Sequence, residues 1–214
     1  MKLSLLVAMA VLVPAVQAAA APRALIIGDS HTVGPFGSAL DQSLAASGRE
    51  TALYAVCGAS SAWWIGPKRA KLSICYSIHG YGGKNSPQNG APAAAPPTAE
   101  ELLAAKPDLV VFALGSNPEG SAEATAAGAA KLLALVPPGT PCFWVGPPPM
   151  PKRLEPIDAF YKELPKALSR PNPACALIDS RRLIQPSQAA ANDHFYGAAA
   201  IAWGKAAAAQ IVAP

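Results

Sequence analysis

Charge is scarce in this chain. Of its 214 residues only 14% are Asp, Glu, Lys or Arg, while 51% are hydrophobic. The net charge of +4 is mild, and basic residues gather only weakly, at residues 67–71 (PKRAK) and 151–153 (PKR). No basic stripe with interleaved aromatics is present, so nucleic acid is not an expected partner. An internal repeat is also missing, and the composition is too apolar for a disordered chain. No cysteine pair has C-x-x-C spacing, which argues against a zinc or thiol redox centre. No metal and no cofactor is therefore expected.

The apolar run at the start, residues 3–16, is shorter than the ~20 residues a membrane span requires. It follows Lys2 and leads into small residues, the three-part pattern of a secretory signal peptide. The sequence VQA before Ala19 predicts a signal segment over residues 1–18, with cleavage after Ala20 as the alternative. An uncleaved anchor is the other reading of the run. Export places the protein in the periplasm or outside the cell, with no membrane insertion after cleavage. The remainder, residues 22–214, suits one domain with its own core, expected to act as a monomer.

Four cysteines remain: Cys57, Cys75, Cys142 and Cys175. In an oxidising compartment an even number reads as disulfides. Of three pairings, the nearest-neighbour one, Cys57–Cys75 and Cys142–Cys175, closes two modest loops and is preferred.

Apolar runs at residues 23–28, 51–57, 108–115, 142–146 and 174–179 read as strands. Helical spacing separates them at residues 35–47, 98–106, 120–136, 157–169 and 197–212. Thr98 with Glu101 forms a capping signature. Five strands alternating with helices predict an α/β three-layer sandwich, a five-stranded parallel sheet with helices on both faces. Residues 58–96 are rich in Gly, Pro, Ser and Asn and read as a long loop.

In such sheets the working residues lie at the carboxyl ends of strands. There the chain places Gly28-Asp29-Ser30, then Cys57-Gly58, then Gly115-Ser116-Asn117, and before the last helix Asn192-Asp193-His194. These four blocks, in this order, resemble the SGNH hydrolases, the GDSL-type esterase and lipase superfamily with a flavodoxin-like fold. The resemblance spans nearly all of the chain after the signal segment. It implies that Ser30 is the nucleophile and His194 its base. It also implies an oxyanion hole built from the N–H groups of Ser30 and Gly58 and the amide of Asn117. The residue types suit the chemistry. A serine needs an adjacent base, an oxyanion needs preorganised donors, and glycine lets the backbone approach a substrate. Each residue also has a plainer reading: Asn117 as a helix cap, Gly58 as a turn, His194 as a cap or packing residue. His31 is a rival base, but it directly follows Ser30.

The match breaks at the acid. The family pattern is Asp-x-x-His, and the residue three before His194 is Ala191. Asp193 is the first candidate to orient the imidazole, Asp179 the second, and a backbone carbonyl or water the third. Asp29 reads as a turn-stabilising residue. Trp63 and Trp64, just after Gly58, are candidates for a substrate wall; packing of the loop on the core is the alternative.

The expected function is an exported serine esterase that removes acyl groups, acetyl among them, from a polysaccharide or small ester. The alternatives are an SGNH-type O-acyltransferase of envelope polysaccharides and a non-catalytic carbohydrate-binding relative. No fused membrane acyltransferase region is seen, which favours hydrolysis.

Overall fold

The computed structural model describes residues 20–66, 75–90, 92, 94–169 and 175–213. The signal segment over residues 1–18 lies outside the described residues, as does the basic run at residues 67–71.

In chain order the elements are β1 (Arg23–Gly28), α1 (Ser30–Val33), α2 (Pro35–Ala46), β2 (Glu50–Val56) and α3 (Ser61–Ile65). Then come β3 (Cys75–His79), β4 (Gln88–Asn89), α4 (Ala99–Leu103), β5 (Leu109–Ala113) and α5 (Ala122–Leu133). The chain ends with β6 (Cys142–Val145), α6 (Leu154–Leu168), β7 (Ala176–Ile178) and α7 (Gly197–Val212).

The five expected strands form a parallel sheet in the order β2-β1-β5-β6-β7. Two short strands extend it beyond β2. β3 and β4 pair antiparallel and make the sheet seven-stranded, so part of the expected loop is a hairpin. The central strands are buried on both faces, which is why they read as unbroken apolar runs. Ala24 and Ile26 point to one core with α2 and α7, where the Phe36 and Trp203 rings stack at 3.7 Å. Leu25 and Ile27 point to the other, filled from α3, α4, α5 and α6. Among the described residues no helix is long and apolar enough to cross a membrane.

The hairpin is fastened by polar groups. His79 Nε2 lies 3.3 Å from the Asp41 carboxylate of α2. Asn85 donates to Ser38 of α2 at 2.9 Å and accepts from Ser77 of β3. Two disulfides, Cys57–Cys75 and Cys142–Cys175, close loops of 18 and 33 residues. This is the expected pairing. In the chain-entropy model each adds about 3–4 kcal/mol.

Candidate active site

Ser30 is presented by the core itself. β1 ends at Gly28, where a Cβ would overlap the Thr32 side chain, so glycine allows α1 to fold back against the strand. Asp29 caps α1 by accepting from the His31 N–H at 3.0 Å. The Asp29 carboxyl is 1% exposed. Burial pushes its pKa up to about 6, opposed by hydrogen bonds from the His31 N–H and from Ser116. It is a turn residue, as expected.

His194 meets this serine across the strand ends, with Nε2 3.0 Å from Ser30 Oγ. That is hydrogen-bond reach for a nucleophile and its base. The other ring nitrogen, Nδ1, faces the Asn192 carbonyl at 3.0 Å. A proton on Nδ1 donates to that carbonyl and leaves Nε2 as the acceptor for the serine hydroxyl. The turn carrying the histidine is closed by Asp193 N–H to the Ala190 carbonyl (2.9 Å) and Ala190 N–H to the His194 carbonyl (2.8 Å).

Asp193 does not occupy the place expected for the acid. It sits in the left-handed region at φ 63°, and the partners of the two imidazole nitrogens are the Asn192 carbonyl and Ser30 Oγ. Its carboxylate accepts the Lys152 backbone N–H at 3.3 Å. Asp179 is engaged elsewhere as well, accepting from Arg181 at 2.7 and 2.9 Å. Burial would raise its pKa, but the Arg181 hydrogen bonds hold it below the ordinary value. The third expected possibility, a carbonyl, is the one found at Nδ1.

His31 is buried, with its ring stacked at 4.8 Å on that of His194. Burial, together with the charges of His194 and Arg153, lowers its pKa to about 3. It is thus a neutral packing surface for the His194 ring and is not the hydrogen-bond partner of Ser30 Oγ.

The candidate oxyanion donors, Ser30, Gly58 and Asn117, border the same cleft. Gly58 takes φ 80°, a conformation suited to glycine. The N–H groups on either side, of Cys57 and Ala59, go to the Cys75 and Val56 carbonyls. Those of Ser30 and Gly58 have no acceptor among the described residues. Asn117 Nδ2 donates to the Ala59 carbonyl at 3.0 Å, which orients the amide and leaves its second N–H available. The helix cap is instead Ser121, which accepts from Ala124. Ser30, Gly58, Asn117 and His194 all line one cleft of about 620 Å³.

Trp63 and Trp64 do not line that cleft, which corrects the expected substrate wall. Residues 61–65 form helix α3, and its inward face buries Trp64 completely. The half-buried Trp63 stacks edge-on against it at 4.8 Å. The wall is made instead by the Cys57–Cys75 bridge, by Pro87, Gln88 and Asn89 of the hairpin, and by Tyr196.

Fold and geometry thus define an α/β protein with a hydrogen-bonded serine–histidine pair beside Gly58 and Asn117 in one cleft at the carboxyl edge of a parallel sheet. No protein-family model and no curated sequence matches the chain. Two solved structures share its fold. One is the C-terminal catalytic domain of peptidoglycan O-acetyltransferase A from Streptococcus pneumoniae, at 19% identity and TM-score 0.55, covering 89% of this chain and 93% of that one. The other is a carbohydrate esterase family 3 protein from Talaromyces cellulolyticus, at 10% identity and TM-score 0.60, covering 89% and 96%. Both likenesses run over most of this chain and are likenesses of fold.

Proposed function

We propose that this chain is an exported serine enzyme that cleaves acyl esters, acetyl esters of carbohydrates foremost, through a Ser30–His194 dyad. The single observation that carries the reading is the 3.0 Å approach of His194 Nε2 to Ser30 Oγ. The fold neighbours named for carbohydrate esterase and O-acetyltransferase activity support the substrate class.

Ser30 Oγ attacks the acyl carbonyl while His194 Nε2 takes the hydroxyl proton. The oxyanion is held by the N–H groups of Ser30 and Gly58 and by the free N–H of Asn117. On collapse the alcohol leaves with the proton from His194, and the acyl group stays on Ser30. Water then attacks the acyl-enzyme, gives its proton to His194, and releases the acid and the serine. The Asn192 carbonyl holds the imidazole in the reactive tautomer throughout. Export is supported by the signal-like leader and by the two disulfides, which persist in oxidising compartments.

A second reading replaces water by a sugar hydroxyl and makes the protein an O-acyltransferase. The O-acetyltransferase domain among the fold neighbours favours it. One assay separates the two: acetate release from p-nitrophenyl acetate and longer esters, with and without an oligosaccharide acceptor. The esterase reading expects acid release with or without the sugar, lost in Ser30→Ala. Acetylated sugar formed at the expense of free acetate would convert the reading to transfer. Turnover surviving in Ser30→Ala would overturn both.

A further inference from the structure

Where the chain leaves the catalytic turn for the last helix, Phe195 and Tyr196 point in opposite directions. Phe195 is buried in the core at 4% exposure. Tyr196 is 51% exposed, the most exposed of the large hydrophobic side chains among the described residues. It lines the cleft beside Ser30 and His194. Its ring lies 6.2 Å from that of His194 with the planes only 23° apart. Asn192 Nδ2 donates to its hydroxyl at 3.1 Å and fixes the ring's tilt. An aromatic held flat and wet next to a nucleophile offers an apolar face with a polar tip.

The opposite wall completes the chemistry. Gln88 and Asn89 bring side-chain amides from the hairpin, and Asn117 and Asn192 bring two more from the strand ends. Among the described residues that line the cleft there is no Asp, Glu, Lys or Arg. An anionic substrate finds no counter-charge among these described residues. A neutral sugar ring finds a stacking face for its C–H groups and amides for its hydroxyls.

We infer that Tyr196 is the platform of a sugar subsite adjoining Ser30, and that the ester's carrier is an uncharged glycan. The inference rests on the proposed acyl-ester reading of the same cleft and adds the substrate class and the residue that selects it. The plainer role for Tyr196, covering the start of the last helix, does not explain a half-exposed ring aligned with the catalytic imidazole.

The test uses the full chain with Ser30→Ala, so that bound esters survive. Calorimetric titration with O-acetylated xylo-oligosaccharides and with acetylated oligogalacturonides measures affinity without turnover. The neutral oligosaccharide should bind, and Tyr196→Ala in that background should weaken it at least tenfold, while Tyr196→Phe keeps most of the affinity. In the active protein Tyr196→Ala should raise KM for the sugar ester far more than it lowers kcat. Equal affinity with and without the Tyr196 ring would overturn the inference. So would no binding at all, tighter binding of the anionic oligomer, or a loss in Tyr196→Ala that grows with acyl chain length on p-nitrophenyl esters. Tyr196-dependent sugar binding without acetate release would leave the subsite standing and overturn the esterase reading instead.

Discussion

The serine and the histidine reach each other on unlike supports. Ser30 stands on a turn built into the core, with Gly28 packed under Thr32, Asp29 buried as a cap, and α1 running almost directly into α2. His194 stands on a partly exposed turn held by bonds within it, from Ala190, Asn192 and Asp193, and by Lys152, which donates to Asp193 and to the Ala191 carbonyl. Ser30 is therefore positioned by folding as a whole. His194 is positioned by a few hydrogen bonds on a partly exposed turn rather than by the packed core. Stability and activity should separate between the two sides.

The largest effect falls on both sides equally. His194→Ala, like Ser30→Ala, should remove ester turnover; in a serine-protease triad the corresponding loss is on the order of 10⁶-fold. Retention of more than a tenth of the rate would break the assignment of the base. Next come the disulfides. Losing either bridge should cost about 3 kcal/mol in urea unfolding. Only Cys57→Ser with Cys75→Ser should also lower turnover, because that bridge abuts Gly58 and lines the cleft. Matched activity losses from the two pairs would erase the distinction.

A third comparison sets the two turns against each other. Gly28→Ala forces a Cβ into Thr32 and should cost about 1–3 kcal/mol, as overpacking does. Asn192→Ala, on the exposed turn, should stay within about 0.5 kcal/mol and keep the carbonyl that faces His194. Thermal unfolding of both checks this, and a larger loss at Asn192 would reverse the picture.

The fourth prediction concerns pH. The His31 pKa falls from an ordinary 6.5 to about 3, so its contribution is present above pH 6.5 and lost as pH drops towards 3. The Asp29 pKa rises from 3.8 to about 6, so its contribution has the opposite sign and is lost as pH rises through 6. The His31 displacement is the larger, and the pair should destabilise the fold on acidification from pH 7 to pH 4. His31→Leu should shrink that loss, as read from the urea midpoint at the two pH values. An unchanged acid loss would show that His31 is not held neutral by the fold.

Much of this was legible in the sequence because burial writes itself as pattern. The five parallel strands are apolar runs, and the last helix spans residues 197–212 as its spacing predicted. The hairpin escaped because β3 inverts the usual signal: its buried residues are the polar Ser77 and His79, satisfied by Asn85 and Asp41. Trp63 and Trp64 misled because a loop-like composition concealed a single helical turn with an inward face. The partner of His194 was beyond singling out, because every residue carries a carbonyl and only the turn's geometry selects that of Asn192.

That carbonyl is the central claim, and Asp193→Asn tests it most directly. Asparagine keeps an acceptor for the Lys152 N–H and tolerates the left-handed backbone. It removes only the negative charge. The measurement is kcat/KM on p-nitrophenyl acetate for the variant beside the unaltered chain. With the imidazole oriented by the Asn192 carbonyl, the two values should agree within about threefold. A drop approaching the ~10⁴-fold seen when the triad acid of a serine protease is neutralised would contradict the account and restore Asp193 as the acid.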